Sequence, residues 1–190
     1  QKLSLADSRG AANVAFDNVA VSDADKLNGG AALLDKVLDR ARAGVAAEML
    51  GAATQAFETT LDYLKTRVQF GQVIGSFQAL QHRAAKMFIE LELARSAVLG
   101  ACAALDDGAR NWRELASLAK ARCSDTAALV GYEGIQMHGG IGMTDEHDIG
   151  LYAKRARATE IGRGDQSVVA AADDYRLVAA GAHLGTKSLV

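Results

Sequence analysis

Not one of the 190 residues is proline, and only 5% are aromatic. Small sandwiches and barrels place proline in turns and aromatic or β-branched residues in strands, so an all-β chain is a poor fit. Long stretches of alanine, leucine and charged residues, uninterrupted by proline, are what extended helices need, because proline removes a backbone donor and clashes with the preceding turn. The 49% apolar content and a formal net charge of −2 exclude a disordered chain. The length suits one domain with a real core. Two cysteines, Cys102 and Cys123, exclude a disulfide scaffold. Even the apolar stretch 43–53 contains Glu48, and no run is long enough to span a bilayer. The first ten residues are mixed and polar, unlike a signal peptide, and the near-neutral charge offers nucleic acid little attraction. These features point to a cytoplasmic protein that does not bind nucleic acid.

The pattern changes near residue 28. Val14, Phe16, Val19 and Val21 are β-formers around the turn-prone pair Asp17-Asn18, so a strand or hairpin is expected there. A lone strand is not stable by itself, so residues 1–28 read as a strand and linker left over from a β domain, and 29–190 as a helical bundle. From Ala31, apolar residues recur at three-and-four spacing (Leu34, Val37, Leu38, Ala41, Val45, Met49), predicting a helix that stops at Phe70-Gly71. Gly44 and Gly51 inside it read either as close helix packing or as close approach of a ligand. A second helix is expected over 76–105, with Lys86 and Glu90 as an outer-face pair. A third opens at Asn111, with Glu114 completing a capping box, and runs to His138. Shorter helices are expected over 146–158 and 166–180. The whole predicts an all-α, antiparallel up-and-down bundle with a short β segment at the amino end.

Few residues announce chemistry. Gly139-Gly140-Ile141-Gly142 follows a helix; a dinucleotide fingerprint would follow a strand and open a helix. The glycines read either as a helix stop or as backbone left bare for a ligand. Arg67 near a helix end reads either as a surface cation near the terminal carbonyls or as an anion clamp. His82, His138, His147 and His183 have no zinc-site spacing, and no metal is expected. Both cysteines read as core residues, and Lys154-Arg155-x-Arg157 as a solvated face.

A resemblance carries the reading further. Arg67-Val68-Gln69-Phe70-Gly71, followed by Gln78, resembles the R-x-x-F-G…Q segment of acyl-CoA dehydrogenases. Gln136-Met137-His138-Gly139-Gly140-Ile141-Gly142 resembles their Q-x-x-G-G-x-G segment. The stretch 14–21 is similar to the strand leaving that family's middle β domain, and Asp39-Arg40-Ala41-Arg42 to its first long helix. The resemblance implies FAD as cofactor, with Arg67 at the pyrophosphate of a neighbouring subunit's FAD. Phe70 and Gln78 would line that cofactor, and Gln136, Gly139 and Gly140 would run along its adenosine end. It implies that Asp39 and Arg42 contact an acyl-CoA substrate or support that contact. It also implies a homo- or hetero-oligomer, dimeric or tetrameric, passing electrons to an electron-transfer flavoprotein or similar acceptor.

The family reaction is α,β-dehydrogenation of an acyl-CoA thioester, which needs a carboxylate base with a raised pKa. Here the sequence departs from the family. Aligned on the glycines of Glu160-Ile161-Gly162-Arg163-Gly164-Asp165, Arg163 stands where most members carry the base. Ala41 stands where a minority carry it. Asp165 is the expected substitute, ahead of Glu160. The alternatives are a non-catalytic subunit of a mixed oligomer whose partner supplies the base, or a flavin-dependent monooxygenase on the same fold. The isolated chain is expected to have little or no activity.

Overall fold

The computed structural model describes residues 1–4 and 10–161. The helix expected over 166–180 lies outside them. Among the described residues, two short strands, β1 (Lys2–Leu3) and β2 (Ala11–Ala12), pair antiparallel. Four helices follow: α1 (Gly30–Thr66), α2 (Gln78–Asp106), α3 (Trp112–His138) and α4 (Ile149–Ile161). A small hairpin of β3 (Val68–Gln69) and β4 (Gln72–Val73) joins α1 to α2.

Cross-helix contacts fix the directions. Asp39 meets Arg113 near the start of α1 and α3, and Tyr63 reaches the carbonyl of His138 at their ends, so these two helices run parallel. Arg83 pairs with Glu133 and Arg122 with Glu90, which sets α2 antiparallel to α3. Gly134 touches Ile149 while Lys120 reaches Glu160, which sets α4 antiparallel as well. The order is up, down, up, down, with α3 packed against the other three helices. At 1.5 Å per residue, α1 is about 55 Å long.

The core holds Met49, Phe57, Met87, Leu91, Val130 and Ile149, interleaved with buried alanines such as Ala46, Ala94 and Ala119. Small side chains between large ones let the axes approach closely. Each fully buried large apolar side chain contributes roughly 1.5–3 kcal/mol. The three-and-four spacing of Met49, Ala53, Ala56 and Thr60 continues into this face. Against it, Leu34, Val37 and Leu38 near the start of α1 stay exposed, as do Phe88, Ile89, Leu93 and Leu99 on the outer face of α2.

Several expectations are corrected. The stretch 14–21 forms no strand and is exposed, because no neighbouring strand in the described chain offers it a ladder. Helix α1 ends at Thr66, four residues early, and Phe70-Gly71 is the turn of the β3–β4 hairpin. Asn111 caps α3 by position, but its side chain makes no capping bond. A Cβ at Gly44 or Gly51 would meet nothing within 4 Å, so neither is at a close helix contact. Close approach occurs instead at Gly131 and Gly134 of α3, facing α4. Glu90 turns from Lys86 to Arg122. Arg155 is half-buried and pairs with Glu48 at 2.6 Å, so only part of the basic run is a solvated face. Cys123 is buried as expected, and burial pushes its thiol up to about 12; Cys102 is half-buried.

Candidate functional site

The bundle end where α1 and α3 finish and α2 begins carries a groove of about 340 Å³. Its shape begins with the stop of α1. Arg67 leaves helical geometry at ψ 125°, its N–H still bonded to the carbonyl of Tyr63 at 2.9 Å. Its own carbonyl accepts the N–H of Ile74 at 2.9 Å, which turns the chain back through the hairpin. Phe70 and Gly71 form the turn with φ of 55° and 80°. Two-residue hairpins favour turns with positive φ at both central residues, easy for glycine and costly for phenylalanine. The Phe70 ring is 89% exposed and touches Phe77 edge-on at 6.1 Å. A large aromatic held in a strained turn and left in water contributes little to folding.

The opposite wall is the end of α3. Gly139 has φ 65°, and a Cβ added there or at Gly140 would meet nothing within 4 Å, so bare backbone faces open space. Arg67, Phe70, Gln136, Gly139 and Gly140 therefore share one groove, although they come from two segments with α2 and most of α3 between them. Arg67 has no carboxylate partner among the described residues; a guanidinium in that state is a ready fork for an anion. Gln78 is exposed at the first position of α2 and is not part of the groove lining.

Tyr63, Arg83 and His138 also line the groove and were not singled out from the sequence for it. The Nδ1 of His138 lies 2.7 Å from the carbonyl of Gly134, which can only accept, so Nδ1 carries the proton. Its Nε2 is then a buried acceptor with no partner among the described residues. Burial lowers the pKa of His138, the Gly134 bond opposes this, and nearby His147 lowers it further. The two rings lie 4.4 Å apart, a pairing nine residues of sequence spacing did not suggest. Among the described residues no group of three or more His, Cys, Asp or Glu could hold a metal.

Asp39 and Arg42 lie far from this groove, near the start of α1. Asp39 is 1% exposed and accepts from Arg42 on one oxygen and from Arg113 at 3.0 Å on the other. The carboxylate thus orients Arg42 from inside the bundle while Arg42 stays partly exposed. Ala41 stands beside them, half-buried. Glu160 is half-buried and accepts from Arg157 at 2.7 Å. Arg163 and Asp165 lie outside the described residues.

An up-down-up-down helical bundle with a groove at one end, lined by Arg67 and the Gly139-Gly140 backbone, defines the class: an all-α bundle domain. Comparison gives its kinship. The family model described as "Acyl-CoA dehydrogenase, C-terminal domain" matches residues 28–172, and the chain belongs to the acyl-CoA dehydrogenase family. It is 42% identical over 123 residues to acyl-CoA dehydrogenase IpdE2 of Mycobacterium tuberculosis, covering 65% of this chain and 37% of that protein. It is 37% identical over 131 residues to the mitochondrial short/branched chain specific acyl-CoA dehydrogenase of Bos taurus, covering 69% of this chain and 30% of that one. Butyryl-CoA dehydrogenase from Megasphaera elsdenii superposes with a TM-score of 0.82 at 29% identity, over 97% of this chain and 48% of that structure. The chain thus spans less than half the length of these relatives. Among the described residues no helix is long and apolar enough to cross a membrane.

Proposed function

We propose that this chain is the carboxy-terminal helical domain of an FAD-dependent acyl-CoA dehydrogenase-like oxidoreductase, and that its groove takes the pyrophosphate and adenosine of an FAD shared with a neighbouring subunit. The observation that carries the reading is the meeting of Arg67, Phe70, Gln136, Gly139 and Gly140 around one groove. These residues fit a dinucleotide: an unpaired guanidinium suits phosphate, glycine backbone without Cβ obstruction allows close approach, and an exposed phenyl ring offers a flat apolar face. Bound FAD supplies a hydride acceptor. The chain's own residues bind and orient. Arg67 neutralises phosphate charge, and Asp39 with Arg113 holds Arg42 toward the thioester substrate. The apolar face of Leu34, Val37 and Leu38 excludes water once a β domain, entered through residues 1–28, covers it. The outer stripe of α2 supplies the oligomer contact, and an electron-transfer flavoprotein or similar protein takes the electrons in the cytoplasm.

The α proton needs a base, and Asp165 is the first candidate. A second reading is favoured by one observation: Arg163 and Ala41 leave both family base positions without a carboxylate. In that reading the chain belongs to a mixed oligomer and its partner carries the base.

The test is Arg67→Gln in the full-length protein. We expect FAD content after gel filtration to fall about tenfold or more, since a charge-assisted contact is lost. Undiminished FAD would refute the groove assignment. Bleaching of the flavin by acyl-CoA in the purified single-subunit protein would favour Asp165; bleaching only after a partner subunit is added would favour the second reading.

A further inference from the structure

The turn that follows Gly139-Gly140 is closed by a pair of histidines. A Cβ at Gly142 would stand 2.6 Å from the Ile135 carbonyl oxygen and 3.0 Å from His138 Cβ, so the chain folds back tightly onto the end of α3. This return brings the rings of His138 and His147 to 4.4 Å. Tyr63, from the end of α1, lies 4.4 Å from the His138 ring and edge-on to His147 at 6.4 Å. The far end of the turn is fixed by His147 itself. Its Nδ1 accepts the backbone N–H of Ile149 at 3.1 Å, in the first turn of α4, where amides have no intrahelical acceptor.

These bonds set the tautomers. A backbone N–H can only donate, so Nδ1 of His147 holds a lone pair and Nε2 carries the proton. His138 is the reverse, with its proton on Nδ1 and a lone pair on the buried Nε2. One ring offers a donor, the other an acceptor, and neither is charged. One more proton has no good place. On His147 it must go to Nδ1, where it removes the acceptor that Ile149 uses and puts positive charge beside the positive end of α4. On His138 it must go to Nε2, which has no acceptor among the described residues.

The surrounding groups offer no compensation. Arg67 of α1 and Arg83 of α2 line the same groove as cations, and Glu133 of α3 holds Arg83. The Tyr63 hydroxyl donates to the His138 carbonyl. Asp145 is held by Lys154 of α4, and Glu146 and Asp148, which flank His147, are exposed. Among the described residues no carboxylate pairs with either ring.

We propose that His147 is a positioning residue for the dinucleotide groove: neutral, it latches the 139–143 turn against the ends of α1 and α3, and one added proton releases the glycine wall. The inference rests on the reading above, in which Gly139 and Gly140 face FAD. The sign is distinctive. A new cation at the groove would by charge alone attract phosphate, whereas the latch makes affinity fall in acid, because the bound form resists a proton that the released form accepts.

The experiment measures FAD affinity of the full-length protein, with any partner subunit present, from about pH 8 to about pH 5.5, while circular dichroism follows helix content. For the parent we expect affinity to be level above about pH 7 and at least about fivefold weaker at about pH 5.5, with helix content constant. His147→Asn keeps an oxygen acceptor near the place of Nδ1 and cannot take the proton. It should match the parent within about twofold at about pH 8 and lose the acid weakening. His147→Ala removes the acceptor and should bind at least about fivefold more weakly at about pH 8. Acid weakening that persists in His147→Asn would overturn the proposal, as would parent affinity that stays level or rises in acid. If Arg67→Gln shows that the groove does not hold FAD, the functional reading fails on its own, and amide exchange decides. Protection of residues 139–149 that drops in acid in the parent but not in His147→Asn keeps the latch; equal protection in the two removes it.

Discussion

The imidazole of His138 stacks on the phenol ring of Tyr63, with centroids 4.4 Å apart and planes inclined by 30°. Both residues line the groove, and the Tyr63 hydroxyl also donates to the His138 carbonyl at 3.3 Å. It ties the last turn of α1 to the last turn of α3, immediately before Gly139.

A pH dependence follows from it. Burial holds the pKa of His138 below the ordinary 6.5. Well above that value the ring is neutral folded and unfolded alike. As pH falls through 6.5 the unfolded chain takes up a proton that the folded site resists, so stability falls, by at most about 1.4 kcal/mol per pH unit for one group. The loss ends once the folded ring is protonated. Thermal unfolding at about pH 7.5 and about pH 5.5 should show a lower midpoint in acid, and His138→Phe should narrow the gap. An unchanged gap would show that other groups carry it.

Phe70 separates stability from binding. Its ring is almost wholly exposed, so Phe70→Ala should change unfolding free energy by no more than about 0.5 kcal/mol. In the full-length protein the same substitution should lower FAD retention. Denaturant titration and flavin absorbance, measured on one preparation, check both halves.

Gly134 and Gly51 should respond oppositely to alanine. A Cβ at Gly134 would come within 2.9 Å of Ile149 Cδ1 and 3.2 Å of Thr60 Oγ1, so Gly134→Ala should cost about 1–3 kcal/mol by overpacking α3 against α4 and α1. At Gly51 the space is open and the backbone helical, so Gly51→Ala should stabilise by about 0.5–1 kcal/mol. Urea midpoints of the two variants should move in opposite directions.

Asp39 is a buried charge with two arginines on it. Asp39→Asn should cost about 1–3 kcal/mol; the loss is moderated because Arg113 and Arg42 both reach water. A double-mutant cycle with Arg113→Met should return a coupling of about 1 kcal/mol, and a coupling of zero would mean that the pair is not formed in solution.

The sequence alone determined the helical class, the up-and-down order, the number of described helices and the neighbourhoods of their ends. Those follow from local rules: three-and-four apolar spacing writes a helix face, and glycine clusters such as Gly139-Gly140 favour a helix stop. The motif residues Arg67, Phe70, Gln136, Gly139 and Gly140 were legible for the same reason, as short strings that need no fold to be read.

Contacts between helices were decided only in three dimensions. A lysine inside an alanine-rich helix carries no local mark of burial; only packing against α4, where its Nζ meets the Glu160 carbonyl, takes Lys120 out of water. His138 and His147 became neighbours because a short helical turn over 139–143 folds one ring back on the other. Glu48 and Arg155 are 107 residues apart, and spacing rules such as i to i+4 reach only one helix. The sheet-forming residues 14–21 make the complementary case. Their local preference is plain, yet a strand exists only when another backbone accepts its hydrogen bonds, and the described chain provides none.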